Sequence, residues 1–207
     1  MAKKILALIM SVICVLGMST IAFADNEELT VEEIKQKGTL EQSEILHTND
    51  GPVRADFYSF TEELPETRSV EKEYVKTVSV IFSPVVQTRG EVQHGEQGLN
   101  LKIYYAERSY ADDHPEVPGY RLTRVFVNNT KPSVIDLGTL HCISASSSLG
   151  GDVNYNLAGN TSTSIVKYMN FSEYIADAAA AAVGAQISAE YNGDYLEVHC
   201  FKFNNYL

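Results

Sequence analysis

AQISAEYNGDYLEVHCFKF, residues 185–203, decides how this chain is read. Two alternating runs flank Asn192-Gly193. That dipeptide suits a two-residue hairpin turn, because a type I′ turn needs positive φ at both central residues. Closing the chain there sets Tyr191 opposite Asp194, Ala189 opposite Leu196, Ile187 opposite Val198 and Ala185 opposite Cys200. Alternate residues of a strand share a face, so Ala185, Ile187, Ala189, Leu196, Val198 and Cys200 make one apolar surface. Gln186, Ser188, Glu190, Tyr195, Glu197 and His199 make the other. A slip of one residue would turn the polar set inward, so the turn and the pattern specify one register. A lone hairpin is marginal in water, and the rest of the chain must supply sheet to cover the apolar face.

Upstream, the strand code recurs. Tyr74, Val78, Val80 and Phe82 share a face that Lys76 interrupts, and Leu99, Leu101, Ile103 and Tyr105 alternate with polar residues. Residues 120–127 are apolar on both faces, as in a sheet interior. Residues 134–143, 153–157 and 164–169 read as further strands. Before the hairpin the period changes. Ile175, Ala178, Ala179, Ala182 and Val183 fall on one helical face, Ser172 suits an N-cap and Gly184 a stop. The sequence therefore predicts a mainly-β fold. It is an antiparallel β-sandwich of seven or eight strands with one Ala-rich helix before the C-terminal hairpin.

Residues 1–24 read as a signal peptide: Lys3 and Lys4, an apolar run from Ile5 to Leu16, and Ala22-Phe23-Ala24 as the cleavage site. Cleavage after Ala24 places the protein outside the cytoplasm, secreted or extracytoplasmic, with no transmembrane segment in the mature chain. Of the 16 basic and 27 acidic residues, cleavage removes two basic ones, leaving 14 − 27 = −13. That balance opposes nucleic acid and anionic membrane surfaces as main partners. Residues 25–73 carry 14 acidic and 5 basic residues, net −9, against −4 for all that follows. Residues 25–70 therefore read as an acidic, partly ordered arm, with a short helical stretch near Val31–Lys37, and residues 71–207 as the sandwich domain.

Chemistry is sparse. The chain has no nucleophile elbow, no HExxH, no P-loop and no dinucleotide fingerprint. Cys142 and Cys200, an even pair in an exported chain, predict a disulfide. Asp112, Asp113 and Glu116 gather oxygen ligands in one loop, a calcium candidate that matches no EF-hand; apart from calcium no cofactor is indicated. His141, Glu197 and His199 form a second candidate, a surface or metal site, if a bridge brings their strands together. The expected function is an exported, non-enzymatic binding or surface-interaction module for an extracellular protein or glycan. The alternatives are a secreted hydrolase whose carboxylates converge only in the fold, and a secreted toxin or bacteriocin-like protein using the Ala-rich segment.

Overall fold

A computed structural model describes residues 29–65, 71–85, 95–111 and 114–206. The signal-peptide reading of residues 1–24 lies outside the described residues. The fold is mainly β and antiparallel throughout, in two sheets that pack as a sandwich. One short helix, α1 (Val31–Lys37), opens the described chain and buries Ile34. Eleven strands follow among the described residues, more than the seven or eight expected: β1 (Thr39–Thr48), β2 (Gly51–Glu63), β3 (Lys72–Pro84), β4 (Glu96–Ala111), β5 (His114–Asn129), β6 (Ile135–Ser146), β7 (Gly150–Asn156), β8 (Ser164–Tyr168), β9 (Ile175–Ala176), β10 (Ala181–Tyr191) and β11 (Asp194–Asn204).

The larger sheet runs β1-β2-β3-β4-β5-β8, with β9 also on the β5 edge, and the smaller runs β11-β10-β6-β7. Leu99, Leu101, Ile103, Val125 and Val127 of the first face Leu140, Ile187, Leu196 and Val198 of the second in one core, all at most 1% exposed. The terminal hairpin keeps the register read from the sequence, pair by pair from Tyr191–Asp194 to Ala185–Cys200. Asn192 and Gly193 have φ of 46° and 88°, as the turn requires.

The described part of the acidic region is not a separate arm. Residues 39–63 form two full strands of the larger sheet, joined by the turn at Asn49-Asp50. Composition hid β1 because it is an edge strand whose first five residues are all exposed, so neither face shows an apolar period.

The Ala-rich helix is also corrected. Residues 172–180 hold only the two-residue β9 and a turn, and β10 begins at Ala181, within the stretch expected to be helical. Ala180 has φ of 52°, a left-handed kink that a helix would not contain. As strand, residues 181–184 find backbone partners on β6 and β11 together. A helix of small methyl groups buries little surface by comparison, so tertiary pairing overrides the helix propensity of alanine. Gly184 sits at a register shift where a Cβ would lie 2.5 Å from the Cys200 carbonyl oxygen.

The sandwich is open along two sides, and each carries an inward-pointing lysine. On one, Lys167 of β8 lies over the Tyr155 ring of β7 at 4.7 Å. On the other, Lys76 of β3 donates to the Phe201 carbonyl of β11 at 2.8 Å. Lys167 sits on the edge strand β8, whereas Lys76, on the interior strand β3, caps a carbonyl of the edge strand β11; both discourage edge-to-edge pairing. This accounts for the lysine that interrupts the apolar stripe of β3.

Candidate functional site

The β1–β2 hairpin tip docks on the β10–β11 tip. His47 N–H donates to Asp194 Oδ2 at 2.6 Å, Asn49 N–H to the Asn192 carbonyl at 3.0 Å, and Asn192 Nδ2 to Asp50 Oδ2 at 2.6 Å. Away from these tips lies a cleft of about 260 Å³ between the edge strands β1 and β11. Glu41 and Gln42 line it from β1, and Glu197, His199 and Phe201 from β11. Phe57 and Ser59 of β2 and Lys76 and Val78 of β3 complete the lining.

Polar groups are positioned by their own contacts. The Ser59 hydroxyl donates to Glu41 Oε1 at 2.5 Å. Gln186 Nε2 donates to Glu197 Oε1 at 3.3 Å, and His199 Nε2 lies 3.3 Å from Glu197 Oε2. The Cys200 thiol donates to the Lys76 carbonyl at 3.4 Å, so residue 76 clasps β11 through both its backbone and its ammonium. Each ionised carboxylate offers about four acceptor positions, and these contacts use only some of them. Phe57, Val78 and Phe201 supply apolar surface beside them.

Two other hollows are less suited to a ligand. One, of about 330 Å³, contains Arg54 and Asp56, which already satisfy each other in a two-pronged ion pair with N–O distances from 2.6 to 3.0 Å. Burial works against the Asp56 charge, but hydrogen bonds from Arg54 and Ser43 outweigh it and hold the carboxyl below its usual range. The other, of about 130 Å³, is small and includes the Lys131–Glu96 ion pair.

The sequence-derived candidates fare differently. The Cys142–Cys200 disulfide is corrected: both thiols are free and buried. Ala185 pairs with Cys142 on one side and Cys200 on the other, so strand β10 stands between them. Two strand spacings amount to roughly 10 Å between Cα atoms, beyond the limit of about 7 Å for a bridge. Burial pushes both thiols up to about 12.

For the same reason His141, Glu197 and His199 do not form one site. Gln186 separates the two histidines in the row across the sheet. His141 pairs instead with Asp152 at 3.1 Å, a partner two positions from its cross-strand neighbour Asn154. Only Glu197 and His199 meet, and they line the cleft. Asp112 and Asp113 lie outside the described residues, and Glu116 is exposed. Among the described residues no three His, Cys, Asp or Glu side chains are grouped to hold a metal ion. Nor is any described helix long and apolar enough to cross a membrane. Sequence reasoning missed Glu41 and Ser59, which sit in the misread acidic region. Lys76 did leave a signal, as the charge that breaks an apolar stripe.

No protein-family model, no curated protein and no solved structure matches this chain significantly.

Proposed function

We propose that this protein is an exported, non-enzymatic binding module that captures a basic side chain of an extracellular protein partner in the β1–β11 cleft. The observation that carries this reading is the placement of Glu41 and Glu197 on two edge strands that flank one cleft, beside Phe57, Val78 and Phe201. A lysine or arginine matches that pairing, because its aliphatic stem packs on apolar surface while its charged head meets carboxylates. Among the described residues no further strand pairs with the outer edges of β1 and β11, and the backbone groups there that the tip contacts and Lys76 leave over suit an extended peptide.

The test uses a labelled peptide of alternating arginine and valine, followed by fluorescence anisotropy. Binding by the wild-type chain, weakened at least tenfold in Glu41→Gln/Glu197→Gln and absent for a glutamine–valine peptide, supports the reading. Equal binding by the double variant overturns it. Cleavage of the peptide, read by mass spectrometry, replaces it with the hydrolase alternative, and dye release from liposomes with the toxin.

A further inference from the structure

The β1–β11 cleft holds a cation as well as its two carboxylates. Lys76 lies on the inner face of β3, two residues from Val78 of the core, and lines the cleft together with Phe201. An ammonium has three N–H donors. One goes to the Phe201 carbonyl at 2.8 Å, a neutral acceptor that leaves the charge uncancelled. Among the described residues no carboxylate pairs with Lys76. The Lys76 carbonyl accepts from the Cys200 thiol at 3.4 Å, so backbone and side chain together fix this residue against β11.

The carboxylates are presented in the same way. Glu41 accepts from the neutral Ser59 hydroxyl, and Glu197 accepts from the neutral Gln186 amide and lies beside the His199 imidazole. Neither is paired with a lysine or arginine among the described residues. Charges that meet only neutral dipoles remain open to a ligand, whereas the Arg54–Asp56 pair in the larger hollow satisfies itself. Along β11, Glu197 and Phe201 are four residues apart, about 13 Å. That is the scale of one extended arginine or lysine residue with a hydrogen bond at either end.

We infer that the basic residue captured under the reading given above is the carboxyl-terminal residue of the partner chain, its side chain directed to Glu41 and Glu197 and its free carboxylate to Lys76. Charge complementarity selects the chain end. A lysine or arginine within a chain brings one positive charge and a neutral backbone, and offers the ammonium nothing better than a carbonyl. A terminal one brings both signs, as the cleft does. The two remaining N–H groups of Lys76 suit a carboxylate, and such charge-assisted hydrogen bonds are roughly twice as strong as neutral ones. Phe57 and Val78 supply apolar surface for the aliphatic stem.

Two peptides of alternating valine and arginine test this, labelled at the amino terminus, both ending in arginine and differing only in a free or an amidated carboxyl terminus. Fluorescence anisotropy with the full chain is expected to show the free acid binding at least tenfold more tightly. The net charge of −11 favours the amide, so the overall field cannot produce that preference. Lys76→Gln, with circular dichroism showing it folded, is expected to bind the two peptides alike. Lys76 also holds β11, and the comparison of two ligands on the wild-type chain does not depend on that variant. Glu197→Gln is expected to weaken both peptides while the acid stays the tighter. Equal or weaker binding of the acid by the wild-type chain overturns the inference, as does a preference undiminished in folded Lys76→Gln. If the two bind equally and Glu41→Gln/Glu197→Gln weakens both, the basic-side-chain reading stands and the chain-end assignment falls. If neither binds, both fall.

Discussion

Ala180→Gly distinguishes the strand from the helix by the sign of its effect. In the structure Ala180 is half-buried at φ of 52°, in the turn that leads into β10, with its N–H donating to the Asn205 carbonyl at 3.2 Å. A left-handed conformation costs an alanine about 1–2 kcal/mol, which glycine does not incur. Against this, glycine gives the unfolded chain more freedom, worth about 0.4–1 kcal/mol. Glycine also keeps the N–H, so the bond to Asn205 survives. The net expectation is a gain of roughly 0.5–1 kcal/mol. Were residues 173–183 a helix, the same change in its interior would cost about 1 kcal/mol. For a chain of this size each kcal/mol moves Tm by about 2–4 °C, so the two outcomes differ by several degrees and in direction. Thermal and urea unfolding followed by circular dichroism read the difference, provided the m-value is unchanged. A fall in Tm of 2 °C or more would refute the turn assignment and, with it, the start of β10.

The packing sets five further outcomes. Ile187 is fully buried between Val198 and Leu140, so Ile187→Ala is expected to cost about 2–5 kcal/mol. Ser188→Ala is expected to cost about 1 kcal/mol, because the Ser188 hydroxyl accepts from Thr139 N–H at 2.9 Å; denaturant midpoints check both. Cys142 and Cys200 should stay unmodified by iodoacetamide in the native protein at pH 8 and react only on unfolding, with no mass change on reduction. Their raised pKa also stabilises the fold below about pH 9, and that contribution is lost as pH rises toward 12, so urea midpoints should fall across that interval. Lys76→Met is expected to cost about 1–2 kcal/mol by leaving the Phe201 carbonyl without its donor, and light scattering should reveal more self-association as the β11 edge is unblocked.

What the sequence determined by itself was local. Asn192-Gly193 dictates the turn, the turn dictates the register, and period-two alternation dictates which side of the hairpin is buried, because each depends only on neighbouring residues. The antiparallel, mainly-β class followed from the same alternation. Tertiary structure decided everything that depends on which strands become neighbours. Nothing in the residues says that β10 lies between Cys142 and Cys200, which removes the disulfide and parts His141 from His199. Nothing local says that the Ala-rich stretch pairs on both sides rather than coiling, since its propensity favours helix and only β6 and β11 reverse that preference. The cleft needs β1 and β11, which are 146 residues apart from Thr48 to Asp194, to meet at their tips. Bringing Arg121 and Arg124 of β5 to one face needs a shift in register that costs one residue on one strand only. Side-chain period is a property of a segment, whereas strand order and register shifts are properties of pairs, and a single chain records the first far more plainly than the second.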